Sequence, residues 1–297
     1  MSQQSDRVAG NIYDLGYRTY DGARLGRPYA IQSLFTYSLR SAFGLGRRTS
    51  SKIIPVALAL LVFVPAAIAL GVAALVSDEV ELWSHHGYYG AIAIVLMLFA
   101  AAVSPEMVSR DQRTRTLSLY FSRSLNRRDY AAAKSLAVIA AMLVLTLGPQ
   151  TLLFVGRALA TDSVPDYLSD NAGDILPIIV TALALSSVIG LIGVAIAAHT
   201  SRRSYGTVAI LAVFLLAPLI AGIIAETSGT TGARIATPLS PLDVAQGFTY
   251  WVFDERLPDG EALDIANLQG WVWGALVLAY LGVLGAIILR RYERIPA

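Results

Sequence analysis

Few residues of this 297-residue chain could do chemistry. It has no cysteine, which removes thiolate nucleophiles, disulfides and Cys-based metal sites. Its two lysines, Lys52 and Lys134, do not follow the glycines of a GxxxxGK motif ending in Ser or Thr, so that phosphate loop and its route to ATP hydrolysis are absent. No HExxH pair occurs. His85 and His86 are adjacent and so point apart on a helix or strand, which favours an interfacial or solvated role over a metal site. His199 stands alone at the inner end of an apolar run and reads as a boundary residue. An enzyme working inside a membrane needs paired acids, a Ser/His pair or metal ligands at one depth. The one cluster of that kind, Asp78, Glu79 and Glu81 near His85 and His86, is a weak match. We therefore expect no catalytic residue, no metal and no cofactor held by this chain.

The positioning elements follow from composition. Hydrophobic residues make up 55% of the chain and charged ones 15%, with mean hydropathy +0.58. A soluble domain carries about 25% charged residues. Six stretches lack any Asp, Glu, Lys or Arg: 53–77, 82–105, 135–156, 175–201, 204–225 and 265–289. Each reaches the roughly 20 residues that a helix needs to cross a bilayer. Trimmed at polar ends, the crossings are expected at about 54–76, 88–106, 132–156, 175–198, 205–225 and 268–289. Stretches such as 91–103 and 136–148 lack the alternation of barrel strands. The expected fold is an all-α polytopic membrane protein, a transmembrane domain over 53–290 with six helices.

Charge sets the orientation. The segments 1–52, 106–134, 199–204 and 290–297 hold 20 of the 23 basic residues. The intervening segments hold Arg157, Arg234 and Arg256 only, with 14 of the 21 acids. The positive-inside bias places both termini in the cytoplasm. The four tryptophans, Trp83, Trp251, Trp271 and Trp273, fall at or beyond the outer boundary. The first 52 residues are polar and Arg-rich, with no apolar core of a cleavable signal. The 21 arginines against 2 lysines suggest a GC-rich bacterial genome, hence a bacterial cytoplasmic (inner) membrane.

The connections differ in character. Residues 1–28 form an irregular arm with Gly10, Gly16, Gly22, Gly26 and Pro28. Residues 29–43 are amphipathic, with Ile31, Leu34, Phe35, Leu39 and Ala42 on one helix face. That helix lies along the inner membrane surface or packs on another loop. The inner loop 107–131 predicts a short helix within 114–125, then Asn126 as N-cap with Asp129 at N3, starting the third crossing near Arg127. The outer segment 226–267 holds Pro238, Pro241, Pro258 and the aromatics Phe248, Tyr250, Trp251 and Phe253. It predicts either short helices dipping into the outer leaflet or an ordinary cap. Ala182/Ser186/Gly190, Gly270/Gly274 and Gly282/Ala286 permit close helix approach. Pro65, Pro149, Pro177 and Pro218 fall within crossings. Glu106, Asp174 and Glu226 sit only at span ends, so an ion gradient has no evident point of entry. Energy delivered by a cytoplasmic partner at the inner loop fits better.

The stretch SPEMVSRDQRTRTLSLYFSRSLNRRDYAAAK (104–134) resembles the type-2 class of ABC exporter permeases. That class pairs an acidic span end with an Arg/Asp-rich segment, a Thr-Leu-x-Leu stretch, then Ser-Arg-Pro-Leu-x-Arg-x-Asp-Tyr and a Lys. Glu106, Arg110, Asp111, Thr116, Leu117, Leu119, Ser122, Arg123, Leu125, Arg128, Asp129, Tyr130 and Lys134 fit, while Ser124 replaces the usual Pro. The resemblance implies an amphipathic elbow helix before six crossings. It implies a permease that pairs with a second copy or a related chain and sits on two P-loop ATPase subunits, which bind the ATP and Mg²⁺. Thr116, Leu117, Tyr120, Phe121, Arg123, Leu125, Arg128 and Asp129 would couple to the ATPase. Leu117, Tyr120, Phe121 and Leu125 would be its apolar anchors. Arg113, Arg115, Arg123, Arg127 and Arg128 would steer docking or contact anionic lipid. Val62, Phe63, Leu96, Phe99, Phe214 and Leu215 would line an outward path for an amphipathic, lipid-like or drug-like substrate. Membrane lipids are expected partners and nucleic acid is not. The alternatives are a gradient-driven carrier or channel and, third, an intramembrane enzyme or scaffold.

Overall fold

The computed structural model describes Gly22 and residues 25–75, 83–114, 116–121, 125–161 and 163–294. Most of the N-terminal arm, the acids Asp78, Glu79 and Glu81, and residues 295–297 lie outside them. Among the described residues there is no strand. The helices are α1 (Gly26–Ala42), α2 (Ser50–Leu75), α3 (His85–Arg113), α4 (Leu117–Phe121), α5 (Arg127–Ala160), α6 (Val164–Asp170), α7 (Ala172–His199), α8 (Arg203–Ala236), α9 (Pro241–Val252), α10 (Ala262–Ala266) and α11 (Gly270–Glu293). α2, α3, α5, α7, α8 and α11 are long and apolar enough to cross a membrane, and each contains one charge-free stretch for most of its length. Several run past those stretches: at about 1.5 Å per residue, the 34 residues of α5 outreach the bilayer core.

α3, α5 and α7 pack against one another as a central triangle. α2 lies between α3 and α5, α8 between α3 and α7, and α11 between α5 and α7. Burial follows this plan. The apolar windows of the central helices are 61, 50 and 56% buried, and those of α2, α8 and α11 are 28, 22 and 17%. The contacts within the triangle explain its small residues. An added Cβ at Gly190 would lie 3.5 Å from Val138 and Ile139 of α5, and Ser186 shares a 2.9 Å hydroxyl bond with Thr146. Ala182 is fully buried on the same face. Gly282, by contrast, has open space around it.

α1 places Leu34, Ser38 and Ala42, with Ile31, Phe35 and Leu39 beside them, against the bundle. Its partners are α5 and α3. The apolar face read from the sequence is therefore covered by protein, while Tyr29 and Tyr37 are exposed.

The 226–267 segment turns inward. α8 breaks at Gly229 (φ 60°, ψ −153°), a backbone region open essentially to glycine alone. A 3-10 turn at Thr237–Leu239 follows, and Pro241 opens α9 behind the N-cap Ser240. The Tyr280 hydroxyl donates to the Pro238 carbonyl at 3.1 Å. Tyr280 lies ten residues into α11, about 15 Å along its axis. α9 then climbs back between α3, α7, α8 and α11. Its Trp251 indole sits over Gly270 and Gly274, and the Trp273 indole sits over Gly247. Trp273 is thus buried, unlike Trp271, and serves packing and not an aromatic belt.

At Gly247 an added Cβ would meet the rigid indole at 2.5 Å, whereas at Gly222 it would meet nothing. Gly247→Ala is expected to destabilise by about 1–3 kcal/mol, the usual cost of overpacking. Gly222→Ala should leave stability unchanged or raise it. Thermal unfolding in detergent followed by circular dichroism measures both.

Candidate functional site

The motif at 104–134 folds into the connection between two of the three central helices. α3 ends where the Thr114 hydroxyl donates back to the Arg110 carbonyl at 2.9 Å. The Thr116 N–H and hydroxyl both donate to the Asp111 carbonyl at 3.1 Å, launching the single turn of α4. α5 then begins with the expected capping box: the Asn126 side chain accepts from the N3 backbone and the Asp129 carboxylate accepts the Asn126 N–H at 3.0 Å.

Two charge clusters hold this connection. In the first, Asp111 Oδ2 accepts the Tyr130 hydroxyl at 2.7 Å and lies 2.8 Å from Lys134 Nζ. The ammonium also donates to the Met107 carbonyl at 3.0 Å, and its side chain is only 3% exposed. The spacing makes this possible, because Met107 and Asp111, like Tyr130 and Lys134, are four apart and share a helix face. In the second, Glu106 gathers Arg47 of the α1–α2 turn at 2.6 Å, Arg203 of α8 at 3.0 Å and Arg110 at 3.8 Å. Two ion pairs lie further out. Arg27 of α1 grips Asp129 with two 2.8 Å bonds, and Arg128 meets Glu293 of α11 at 2.7 Å. Hydrogen bonding to Asp129, and then its charge, raise the Arg27 guanidinium above its usual value. Burial, and after it Asp111 and Tyr37, push the Tyr120 phenol up.

Aromatic rings fill the space between the clusters. Tyr130 is fully buried, with Tyr120 at 5.7 Å, Phe121 at 6.0 Å and Tyr292 of α11 at 5.1 Å. The α7 end is tied in as well. The Ala197 carbonyl accepts the Ser109 hydroxyl at 3.0 Å, and the Ala198 carbonyl accepts Gln112 at 2.9 Å and Arg291 at 3.0 Å. All three central helices are thus locked together at the basic end.

No family model matches the sequence, and no curated protein matches it either.

Against the expected coupling set, the structure makes a correction. Leu117 and Leu125 turn inward and are buried, because each flanks the turn that closes over Tyr130. They are not available as docking anchors. Tyr120 and Phe121 are half-buried on the same ring cluster. Thr116 forms the turn, and Asp129 holds α1. Arg128 remains exposed beside Glu293. Arg123, with Arg115, Ser122 and Ser124, lies outside the described residues. The exposed apolar side chain on α4 is Leu119. Arg27, Arg47 and Arg203 also belong to this site, and nothing in their local sequence says which acid they meet.

The expected substrate path changes too. Val62, Leu96, Phe99 and Phe214 are completely buried, packed where α2 and α8 sit against α3. Phe63 fills the space over Gly148. Within one chain these residues are solid core, and Leu215 alone of the six is exposed.

Two further expectations are corrected at the acidic end. His85 is buried, its Nδ1 2.6 Å from Gln150 Oε1, while Gln150 Nε2 donates to the His85 carbonyl at 2.8 Å. It fixes α3 to α5 and is not solvated. The chain also holds an ionisable group deep in the bundle. Asp243, brought inward by α9, is 8% exposed, and periodicity in the crossings gave no hint of it.

Breaking a buried pair from one side leaves an uncompensated charge. Asp111→Asn should therefore destabilise by about 3–5 kcal/mol, and Asp111→Asn with Lys134→Met should recover most of the loss. Denaturant unfolding in detergent reads the difference. Equal losses in single and double variants would refute the assignment.

Proposed function

We propose that this chain is the transmembrane subunit of an ATP-driven exporter of the type-2 ABC class. On this reading the basic end lies in the bacterial cytoplasm, and α4 docks on a separate P-loop ATPase. The observation that carries the reading is the bracing of α4. A one-turn helix joins two members of the central triangle: Thr116 ties its start to the Asp111 carbonyl of α3, and its Tyr120 and Phe121 rings pack on Tyr130 of α5, while Asp111, Tyr130 and Lys134 tie α3 to α5. A push on such a turn moves α3 and α5 together instead of bending a loop. Because α3 contacts both α2 and α8, the displacement reaches two of the three perimeter helices with long exposed apolar faces. Those faces include Leu60, Leu61, Leu215 and Leu219.

A second copy, or a related chain, would meet this one along α2 and α8, and the substrate path would run between the copies. Its apolar walls suit an amphipathic, lipid-like or drug-like substrate. ATP and Mg²⁺ belong to the ATPase subunits. Leu119 is the exposed apolar side chain on α4 and would be the anchor of the docking contact, with arginines of the connection steering the encounter. The arginines also suit anionic headgroups of the inner leaflet.

A second reading, a gradient-driven carrier or channel, gains one specific support. Asp243 is an ionisable group at depth, the feature ion coupling requires.

Purification of the chain from its native membranes decides between them. The exporter reading expects a P-loop ATPase to co-purify, and Leu119→Asp to cut its capture by about tenfold or more, as for loss of an interface anchor. Absence of the ATPase, with transport that survives ATP depletion but collapses with an uncoupler, would establish the carrier instead.

A further inference from the structure

We propose that the cavity between α3, α7, α8 and α9 is a binding site for a primary ammonium group carried on an apolar body, with Asp243 as its counter-ion. The cavity has a volume of about 200 Å³. That is well beyond the roughly 30 Å³ share of a single water. His86, Tyr89 and Gly90 of α3 line it together with Asp243, Gln246 and Tyr250 of α9. Leu185, Ile189, Pro218 and Leu242 supply apolar walls.

Three observations give the ligand its chemistry. The first is an unmet acceptor. Asp243 Oδ2 is buried and has no hydrogen-bond partner, a costly state for a charged oxygen. The Ser240 hydroxyl hydrogen-bonds the carboxyl without meeting Oδ2, and the other hydroxyls nearby are spent: Tyr89 donates to the Ile178 carbonyl at 2.7 Å, Thr249 to Ala245 at 2.8 Å and Tyr280 to Pro238 at 3.1 Å. The place of Asp243 in the first turn of α9, behind the Ser240 cap, makes the negative charge tolerable there, without supplying the missing donor.

The second is the sign of the surroundings. Beside Asp243, Glu255 adds a second carboxylate, 3.6 Å from His86 Nδ1. A cation meets attraction here and an anion does not. The third is the aromatic wall. Tyr89 and Tyr250 line the cavity, and the face of a tyrosine ring favours a cation. Because Oδ2 lacks an N–H or O–H donor, an ammonium bearing hydrogens satisfies it, and a quaternary ammonium does not. Gly90 is exposed and an added Cβ there meets nothing within 4 Å, so the cavity has an open side. The site holds whichever way transport is powered.

The test is calorimetric titration of the full-length protein in detergent with phenethylammonium. Saturable binding is expected. Asp243→Asn should weaken it by about tenfold or more, the loss typical of a charge-assisted hydrogen bond. Gly90→Leu, which builds an apolar side chain into the open side of the cavity, should abolish binding. Asp259→Asn, at an exposed acid, should change nothing. Phenethyltrimethylammonium should bind at least about tenfold more weakly than phenethylammonium. Circular dichroism checks that each variant is folded, and Gly90→Leu keeps the test decisive if Asp243→Asn is not. Repetition in nanodiscs with and without phosphatidylethanolamine separates two sources. Competition by that lipid supports the site and makes a headgroup its occupant, and absence of competition supports a soluble amine. No saturable binding, unchanged affinity in both variants, or proton uptake at Asp243 with no amine bound would overturn the proposal.

Discussion

A buried ammonium cannot stand alone in an apolar bundle, and Lys134 organises the basic end of this protein for that reason. Its side chain is almost fully enclosed, so the full cost of removing a charge from water falls on its partners. Asp111 and the Met107 carbonyl meet that need from α3, and Tyr130 completes the carboxylate's hydrogen bonds from α5. The pair need not raise net stability over apolar residues of the same volume. What it enforces is register: α3 and α5 can slide past one another only by exposing an unpaired charge. The other ties at this end act on a framework already fixed.

Those ties show how the helix ends meet their own polar demands. A helix leaves its last carbonyls without intrahelical donors. At the end of α7 the donors come from Ser109, Gln112 and Arg291, side chains of both neighbours. At the start of α5 the donors and acceptors are local, in the Asn126–Asp129 box, and Asp129 is shared with Arg27 of α1. Each termination is also a tertiary contact, which turns a set of six apolar rods into a braced bundle. Exposed pairs such as Arg128–Glu293 add little energy by comparison.

The acidic end solves a different problem. A chain that re-enters a bundle must break its helix, turn and restart at depth, satisfying its backbone throughout. Gly229 supplies the break, Pro241 and Ser240 the restart, and Tyr280 a donor for the Pro238 carbonyl. Large indoles then lock α9 and α11 by occupying the space over glycines on the opposite helix. The same manoeuvre carries a carboxylate inward, which explains how a chain whose crossings lack central charges still has a titratable group far from its ends.

Whatever depends on composition and short-range spacing is legible in the residue order alone. Charge-free runs of bilayer length specify six long helices, because buried backbone in lipid has no other partner than its own helix. The Asn126–Asp129 spacing set the start of α5, and the face Ile31, Leu34, Phe35 and Leu39 marked α1 as one-sided. Tertiary structure alone decided which faces meet. Leu117, Leu125 and Phe214 are apolar and helical whether they face lipid, a partner or the core, and only packing turned them inward. The pairings of Arg27, Arg47 and Lys134 span tens to more than a hundred residues, and a charge carries no record of its distant partner. Asp243 was legible as an acid in a loop; its burial required the reversal at Gly229, where the local pattern reads as a turn and the fold makes it a return into the bundle.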